Sequence, residues 1–236
     1  MSNSLVILTG AGVSAESGLP TFRDANGLWE GHRVEEVASP QGFATAPTRV
    51  HRFYNHRRAA LATVHPNAAH LALARLEESW EGEFLLVTQN VDDLHERAGS
   101  RRMLHLHGEL LKARCTACGA GGLRWTTDLG TDSICPDCQE TGCLRPDIVW
   151  FGEMPHHLDV IFERLASADR FLSIGTSGAV YPAAGFVSVA RAAGARTWEV
   201  NLTDSEVSDA FDEQRIGPAS EVVPALVAAW LLKTPS

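Results

Sequence analysis

Excess positive charge is absent from this chain. Its 20 Lys and Arg face 29 Asp and Glu, a net charge of −9 over 236 residues, which disfavours broad electrostatic binding to nucleic acid or an anionic membrane and leaves only a local basic patch open. A long apolar run is absent as well. Residues 5–8 are too short a stretch, and too uncharged, for a secretory signal, and residues 222–232 contain Pro224 and fall short of the roughly 20 residues a spanning helix needs. No export is implied, so a cytoplasmic location is expected. The second run reads as a C-terminal packing helix with Pro224 near its first turn. Internal repeats and low-complexity tracts are also lacking. Cysteine is sparse: five in a cytosolic-looking chain argue against a disulfide framework and toward metal or catalysis.

What is present suffices for a proper core. At 44% hydrophobic residues, 21% charged and a mean hydropathy of −0.07, the chain suits one large domain, or a large domain carrying a small satellite. Leu5-Val-Ile-Leu8 reads as a short buried strand that runs directly into Gly10-Ala11-Gly12-Val-Ser14-Ala15-Glu16-Ser-Gly18, where glycines free the backbone for a tight turn. Further strands are expected over 84–88, 103–106, 148–151, 171–174 and 197–200, with helices such as 68–78 and 161–168 among them. Strands separated by helices imply an α/β fold with a mainly parallel, doubly wound, Rossmann-like sheet.

Two stretches break that rhythm. The first is 29–62, in which 51–60 reads as a helix with Tyr54 and Arg57 three apart; the second is 112–145, which holds all five cysteines. The simplest partition gives 1–28, 63–111 and 146–236 to the sheet domain, and joins 29–62 to 112–145 as a small helical and zinc-binding module. Cys115-x-x-Cys118 and Cys135-x-x-Cys138, with sixteen residues between the pairs, match the spacing of a tetrahedral zinc site. Two short turns aim two thiolates each at one point, and a four-sulfur shell stabilises a segment too small and polar to fold by burial alone. Four protein ligands leave no open position, so one structural zinc is expected. Cys143 is left over, without a partner at the paired spacing.

Gly10-x-Gly12-x-x-Ala15 after a strand has the form of a dinucleotide fingerprint, in which backbone N–H groups approach a pyrophosphate at a helix N-terminus. The acidic residue usual about 20 positions later is not clearly present, because Glu35 and Glu36 have no strand before them. A standard dehydrogenase therefore fits poorly. Gln89-Asn90-Val91-Asp92, Gly175-Thr176-Ser177 and Asn201 each follow an apolar strand, which sets polar side chains at strand carboxyl ends, where open α/β sheets bind ligands. Each alone is also an ordinary turn or cap. His107 stands in His105-Leu-His107-Gly108 at the end of another strand, where alternation puts both histidines on one face; it is either a general base or a satisfied structural histidine.

Together these residues resemble a sirtuin. The likeness rests on the Gly10 to Arg23 run, Gln89-Asn-Val-Asp92, His107-Gly108, the two Cys pairs, Val149-Trp-Phe-Gly-Glu153 and Gly175-Thr-Ser177, and it covers nearly the whole chain. Leu144-Arg-Pro and Trp150-Phe-Gly-Glu-Met-Pro155 point to the bacterial NAD-dependent deacylase branch, and Tyr54-x-x-Arg57 resembles the signature of members that remove succinyl and malonyl groups. The resemblance implies transfer of an acyl group from protein lysine to ADP-ribose, with nicotinamide released. It places Gly10, Ala11, Gly12, Ser14, Ala15, Glu16, Thr21, Phe22, Arg23, Trp29, Gln89, Asn90, Asp92, Gly175, Thr176, Ser177, Asn201 and Ala219 around NAD. Within that set Asp92 would meet the nicotinamide amide and Phe22 would cap the vacated side. Asn90 and His107 become catalytic, His107 as general base for a ribose hydroxyl. An acyl-lysine peptide or protein is the implied partner, added as a strand between Val149-Trp150-Phe151-Gly152 and Gly178-Ala-Val180, with Tyr54 and Arg57 at its acyl end; no membrane or direct nucleic-acid partner is expected. The competing readings are a deacetylase in which Tyr54 and Arg57 are surface residues, a mono-ADP-ribosyltransferase, and a zinc-ribbon module that binds NAD without catalysis.

Overall fold

A computed structural model describes residues 3–20, 28–29 and 31–232. The chain opens with β1 (Leu5–Thr9), α1 (Gly12–Ala15), β2 (Leu28–Trp29), β3 (His32–Arg33), α2 (Val34–Val37), α3 (Pro40–Thr45), α4 (Pro47–Leu61) and α5 (Ala68–Ser79). There follow β4 (Phe84–Thr88), α6 (Leu94–Ala98), β5 (Met103–His105), β6 (Gly108–Cys115), β7 (Leu123–Arg124) and β8 (Leu144–Ile148). The rest is α7 (Leu158–Ala166), β9 (Arg170–Ile174), α8 (Phe186–Ala192), β10 (Arg196–Asn201), β11 (Glu213–Ile216) and α9 (Ala219–Leu231).

Every residue of β1 is buried, because both faces of its sheet are covered. Leu5 and Ile7 pack with α5 and α9, while Val6 and Leu8 pack with α7 and α8, the period-two division of a strand between two apolar layers. The six-stranded sheet runs β11-β10-β9-β1-β4-β5 with all pairs parallel. From β1 the chain steps outward to β4 and β5, then returns to β9 on the other side. The order therefore reverses between β1 and β9, and the carboxyl ends of those strands frame the crevice where such sheets bind ligands. No helix among the described residues is long and apolar enough to cross a membrane.

A separate antiparallel sheet, β7-β6-β8, carries the cysteine segment. The third apolar cluster joins Trp29, Phe53 and Tyr54 to Leu110, Ile148 and Trp150, so α4 packs on the root of that sheet. The strand expected over 148–151 is corrected here: it spans Leu144–Ile148 and pairs with β6 instead of entering the parallel sheet. β5 ends at His105, so His107 lies in the turn to β6 and strand alternation does not govern it. β11, sequence Glu-Gln-Arg-Ile, is an edge strand whose single apolar residue gave no periodic signal. α9 begins three residues before the apolar run, which moves Pro224 inside the helix and out of its first turn.

Candidate active site

The loops after β1, β9 and β10 are stitched together by backbone bonds. Gly10 N–H donates to Ile174 O, Gly12 N–H to Gly175 O and Gly175 N–H to Val200 O, each at 2.9 Å. A Cβ on Gly12 would stand 2.7 Å from Gly175 Cα, and Gly175, at φ +60°, would press one to 2.6 Å from Val13 N. Glycine is thus required on both sides of the switch point for the loops to close. The helix after the loop, α1, is a single turn. Asn201 Nδ2 reaches across from β10 to Thr176 O at 2.7 Å, and Ser177 Oγ accepts from Ala179 N–H at 3.3 Å. The expected residues Thr21, Phe22 and Arg23 lie outside the described residues.

Beneath the crevice sits a buried polar network. Ser14 Oγ donates to Asp92 Oδ2 at 3.0 Å and accepts from Asn90 Nδ2 at 3.1 Å, while Asp92 Oδ1 takes the Leu94 N–H at 3.1 Å. Burial raises the Asp92 pKa, and the Leu94 and Ser14 bonds oppose that rise. His70 completes the set. Its Nδ1 accepts the Asn67 N–H at 3.3 Å in a capping box at the start of α5, so the neutral ring carries its proton on Nε2, which points at Ser14 Oγ from 3.4 Å. Burial keeps that ring uncharged, its pKa pushed down to about 4.

His107 is oriented by a backbone carbonyl. Its Nδ1 lies 3.1 Å from Gln89 O, a bond that demands a proton on Nδ1 and leaves the lone pair on Nε2. Burial lowers the His107 pKa, the Gln89 bond opposing and His156 assisting, so the base form is available at neutral pH. Val149 N–H donates to His107 O at 2.9 Å, which brings the Val149–Gly152 run alongside. In that run Trp150 is buried, Phe151 is 51% exposed, and Gly152 takes φ +90°. Among the described residues no backbone hydrogen bond joins it to Gly178–Val180.

Tyr54, fully buried on α4, accepts the Trp150 indole N–H at 2.9 Å. An indole only donates, so the phenol keeps its own proton to give elsewhere, and burial holds its pKa far above the usual value. The Arg57 guanidinium lies over the Trp29 ring at 4.3 Å. Arg58, the next residue, is buried, with Nε donating to Leu110 O at 3.0 Å.

The four paired cysteines converge. Their sulfurs all lie within 4.8 Å of one another, with Cys115 to Cys138 at 3.7 Å and Cys118 to Cys135 at 3.9 Å. Four sulfurs about 2.3 Å from a tetrahedral zinc stand about 3.8 Å apart, so the set fits that ion. The two turns are built alike, since the residue after each second cysteine is left-handed, Gly119 at φ +78° and Gln139 at φ +65°. Cys143 Sγ approaches Cys115 alone of these, at 3.3 Å, and stays outside the group of four.

A model of the Sir2 family matches residues 10–182, well over half of the chain. The chain belongs to the Sir2 family. It is 57% identical over 230 residues to an NAD-dependent protein deacylase of Bdellovibrio bacteriovorus, covering 97% of each chain, and 56% identical to one of Salmonella typhimurium, covering 96% of this chain and 84% of that one. Among solved structures it is similar to a Sir2 homologue in complex with NAD (TM-score 0.89, 41% identity, 100% of this chain and 91% of that one). It is also similar to a Sir2 bound to acetylated peptide (TM-score 0.82, 28% identity, 97% and 94%).

In this Sir2 chain Glu16 and Trp29, also expected around the cofactor, are engaged within the protein. Glu16 caps α9, its carboxylate taking the Ser220 N–H at 2.9 Å and hydroxyl at 2.7 Å, which seats Ala219 beside α1. Trp29 is buried in the α4 cluster against Phe53 and Tyr54. Reading the sequence missed the supports behind the site: His70, His95 with Nε2 3.1 Å from Thr9 Oγ1, and Arg145. The last forks both nitrogens onto Glu153 at 2.7 Å while stacking on Trp150. Only His70 had a legible signal, standing three residues after Asn67 at a helix start.

Proposed function

We propose that this chain is an NAD-dependent protein-lysine deacylase that moves the acyl group to ADP-ribose, and that it accepts acidic acyl groups as well as acetyl. The observation that carries the reading is His107, a neutral imidazole with its Nε2 lone pair free by tautomer, held against the carbonyl of Gln89, the residue before Asn90, at the carboxyl end of β4. Gly10–Ser14, Gln89–Asp92, Gly175–Ser177, Asn201 and Ala219 would hold the dinucleotide; when bound it supplies a ribose carbon that takes the acyl oxygen as nicotinamide leaves. His107 takes the proton of a ribose hydroxyl. Cys115, Cys118, Cys135 and Cys138 would hold zinc in a closed shell, a structural role that suits a reducing compartment such as the cytoplasm.

In this reading 29–62 and 112–145 form the module that shapes the acyl end, the remaining residues form the dinucleotide domain, and the peptide lies between Val149–Gly152 and Gly178–Val180. Incubation with NAD and acyl peptides tests it. Nicotinamide and deacylated peptide released in equal amounts are expected; nicotinamide with a modified protein would mean a transferase, and neither product a binding module.

Selectivity rests on Tyr54 and Arg57, one turn apart on α4. The Tyr54 proton and the Arg57 fork can converge on a carboxylate, where each charge-assisted bond contributes about 1.5–3 kcal/mol in a closed pocket. An acetyl group cannot use them. Arg57→Met is therefore expected to lower kcat/KM for succinyl-lysine by at least about tenfold, one decade being about 1.4 kcal/mol, and to leave acetyl-lysine unchanged or improved. Equal losses on one peptide carrying either group would mean a folding defect, and no loss on succinyl-lysine would return Arg57 to a packing role.

A further inference from the structure

Four successive carbonyls leaving β4 are held by the segment that leaves β5. Leu106 N–H donates to Thr88 O at 2.8 Å, His107 Nδ1 meets Gln89 O at 3.1 Å, His105 Nδ1 meets Asn90 O at 3.0 Å, and Leu110 N–H donates to Val91 O at 2.8 Å. The two middle bonds come from imidazoles. His105 faces a second acceptor, since its Nε2 lies 2.6 Å from Glu96 Oε1. A neutral imidazole has one N–H and one lone pair and can satisfy only one of two acceptors. We propose that His105 is a positioning residue for this site, held as an imidazolium between the Asn90 carbonyl and the Glu96 carboxylate, and that loss of its charge loosens Asn90. The inference rests on the deacylase reading, in which Asn90 is catalytic.

The clamp extends beyond one peptide. Asn90 Nδ2 donates to Ser14 Oγ, which donates to Asp92, so a shift of the Asn90 backbone moves that network. The titratable groups facing His105 are Glu96 and His95 on α6, Asp92 before it, and Glu109 on β6, which pairs with Lys112. His95 is kept neutral by burial. Burial opposes charge on His105 too, yet the Glu96 hydrogen bond and charge, the Asn90 bond and the Glu109 charge together outweigh it and raise the pKa. The ligand atoms of Glu96, His105 and Glu109 all lie within 4.8 Å of one another, as at a metal site, but the direct nitrogen–oxygen bond occupies the place an ion would take.

The sign follows from linkage. Stabilisation by the clamp is fully present below about pH 6.5 and is lost as pH rises through the raised value. His107 titrates on the opposite limb, because it must be neutral to act and its pKa is lowered. The rate profile should be a bell, with His107 on the acid side and His105 on the alkaline side.

Nitrogen-15 resonances of labelled histidine, together with kcat profiles on an acyl peptide, test this. At pH 7 both His105 nitrogens should be protonated. Glu96→Gln, at a partly exposed side chain, should move the alkaline limb down by about one unit or more, since one opposite charge within reach shifts a pKa by about 1–3 units, with the acid limb and the KM for NAD unchanged. His105→Gln keeps a neutral donor for Asn90 O but no charge, and should lower kcat about tenfold and remove the alkaline limb, at full zinc content. A singly protonated His105 at pH 7, or an alkaline limb that Glu96→Gln leaves in place, overturns the proposal. A wild type that turns over no acyl peptide overturns the deacylase reading, while the nitrogen resonances still decide the charge of His105.

Discussion

His107→Ala is expected to lower the deacylation kcat by about 10²–10⁴-fold while NAD affinity stays within a few-fold, because general-base catalysis contributes that much and the loss falls on chemistry and not on binding. Most of the groups proposed to hold the dinucleotide lie on the loops after β1, β9 and β10, stitched through Gly10, Gly12 and Gly175, none of which His107 supports; of Gln89–Asp92 it bonds the Gln89 backbone carbonyl alone. The substitution also strips the part-buried Gln89 O of a donor, a loss whose upper bound is the about 1–3 kcal/mol of a fully buried unsatisfied carbonyl. A second variant separates the two effects. His107→Asn offers an amide N–H within the same turn but no base, so it should stay as slow as His107→Ala. Recovery of rate in the asparagine variant, or more than about a tenth of wild-type turnover in the alanine variant, would make His107 structural. With decreasing pH, wild-type activity should fall as protonation fills the Nε2 lone pair; since burial lowers the pKa, that fall lies below the ordinary imidazole range.

Legibility in the sequence followed length and burial. β1 and β4 are short continuous apolar runs because helices cover both faces, and β9 and β10 keep most of that pattern, broken by Ser173 and Glu199, so it survives without knowledge of partners. β11 does not, since an edge strand needs only backbone pairing and Glu-Gln-Arg-Ile has no period to read. The 148–151 stretch misled for a related reason: Ile148 and Trp150 are buried by α4, not by a parallel sheet, and a short apolar run cannot say which layer buries it.

Site chemistry divided along the same line. Gln89, Asn90, Asp92, Gly175 and Asn201 stand where strands end, which position along the chain reveals. His95 and His105 act through partners 9 to 86 residues distant in the chain and His70 reaches Ser14 across 56, pairs that no local spacing encodes; only the Asn67–His70 cap lies within one turn. Alternation placed His105 and His107 on one face of a strand. They do reach neighbouring carbonyls, but from a strand end and a turn, so that expectation had the right neighbourhood and the wrong geometry.

Removing one zinc ligand should have the second large effect. The apolar cluster of the cysteine segment contains only Ala113, Cys115, Leu129, Cys135 and Leu144 as buried members, two of them ligands themselves. So small a core cannot offset the ordering of some thirty residues, at about 1–2 kcal/mol of backbone entropy each, whereas a structural zinc contributes about 10–16 kcal/mol of apparent binding energy. Cys115→Ser is therefore expected to take zinc from one ion per chain to none and to open 112–145 to protease. The loss should travel to the acyl end first. Asn55 on α4 exchanges two hydrogen bonds with Leu129, both at 3.0 Å, and Arg58 reaches Thr127 O and Leu110 O, so α4 loses its partner while the parallel sheet keeps both of its helix layers. NAD binding should outlast deacylation in this variant. Cys143→Ser supplies the contrast: its sulfur meets only Cys115 of the four and also faces Glu140 O at 3.2 Å, as a thiol would, so zinc and activity should remain. Zinc retained in Cys115→Ser, or lost in Cys143→Ser, would require a different ligand set, and metal analysis beside limited proteolysis of the two variants decides between them.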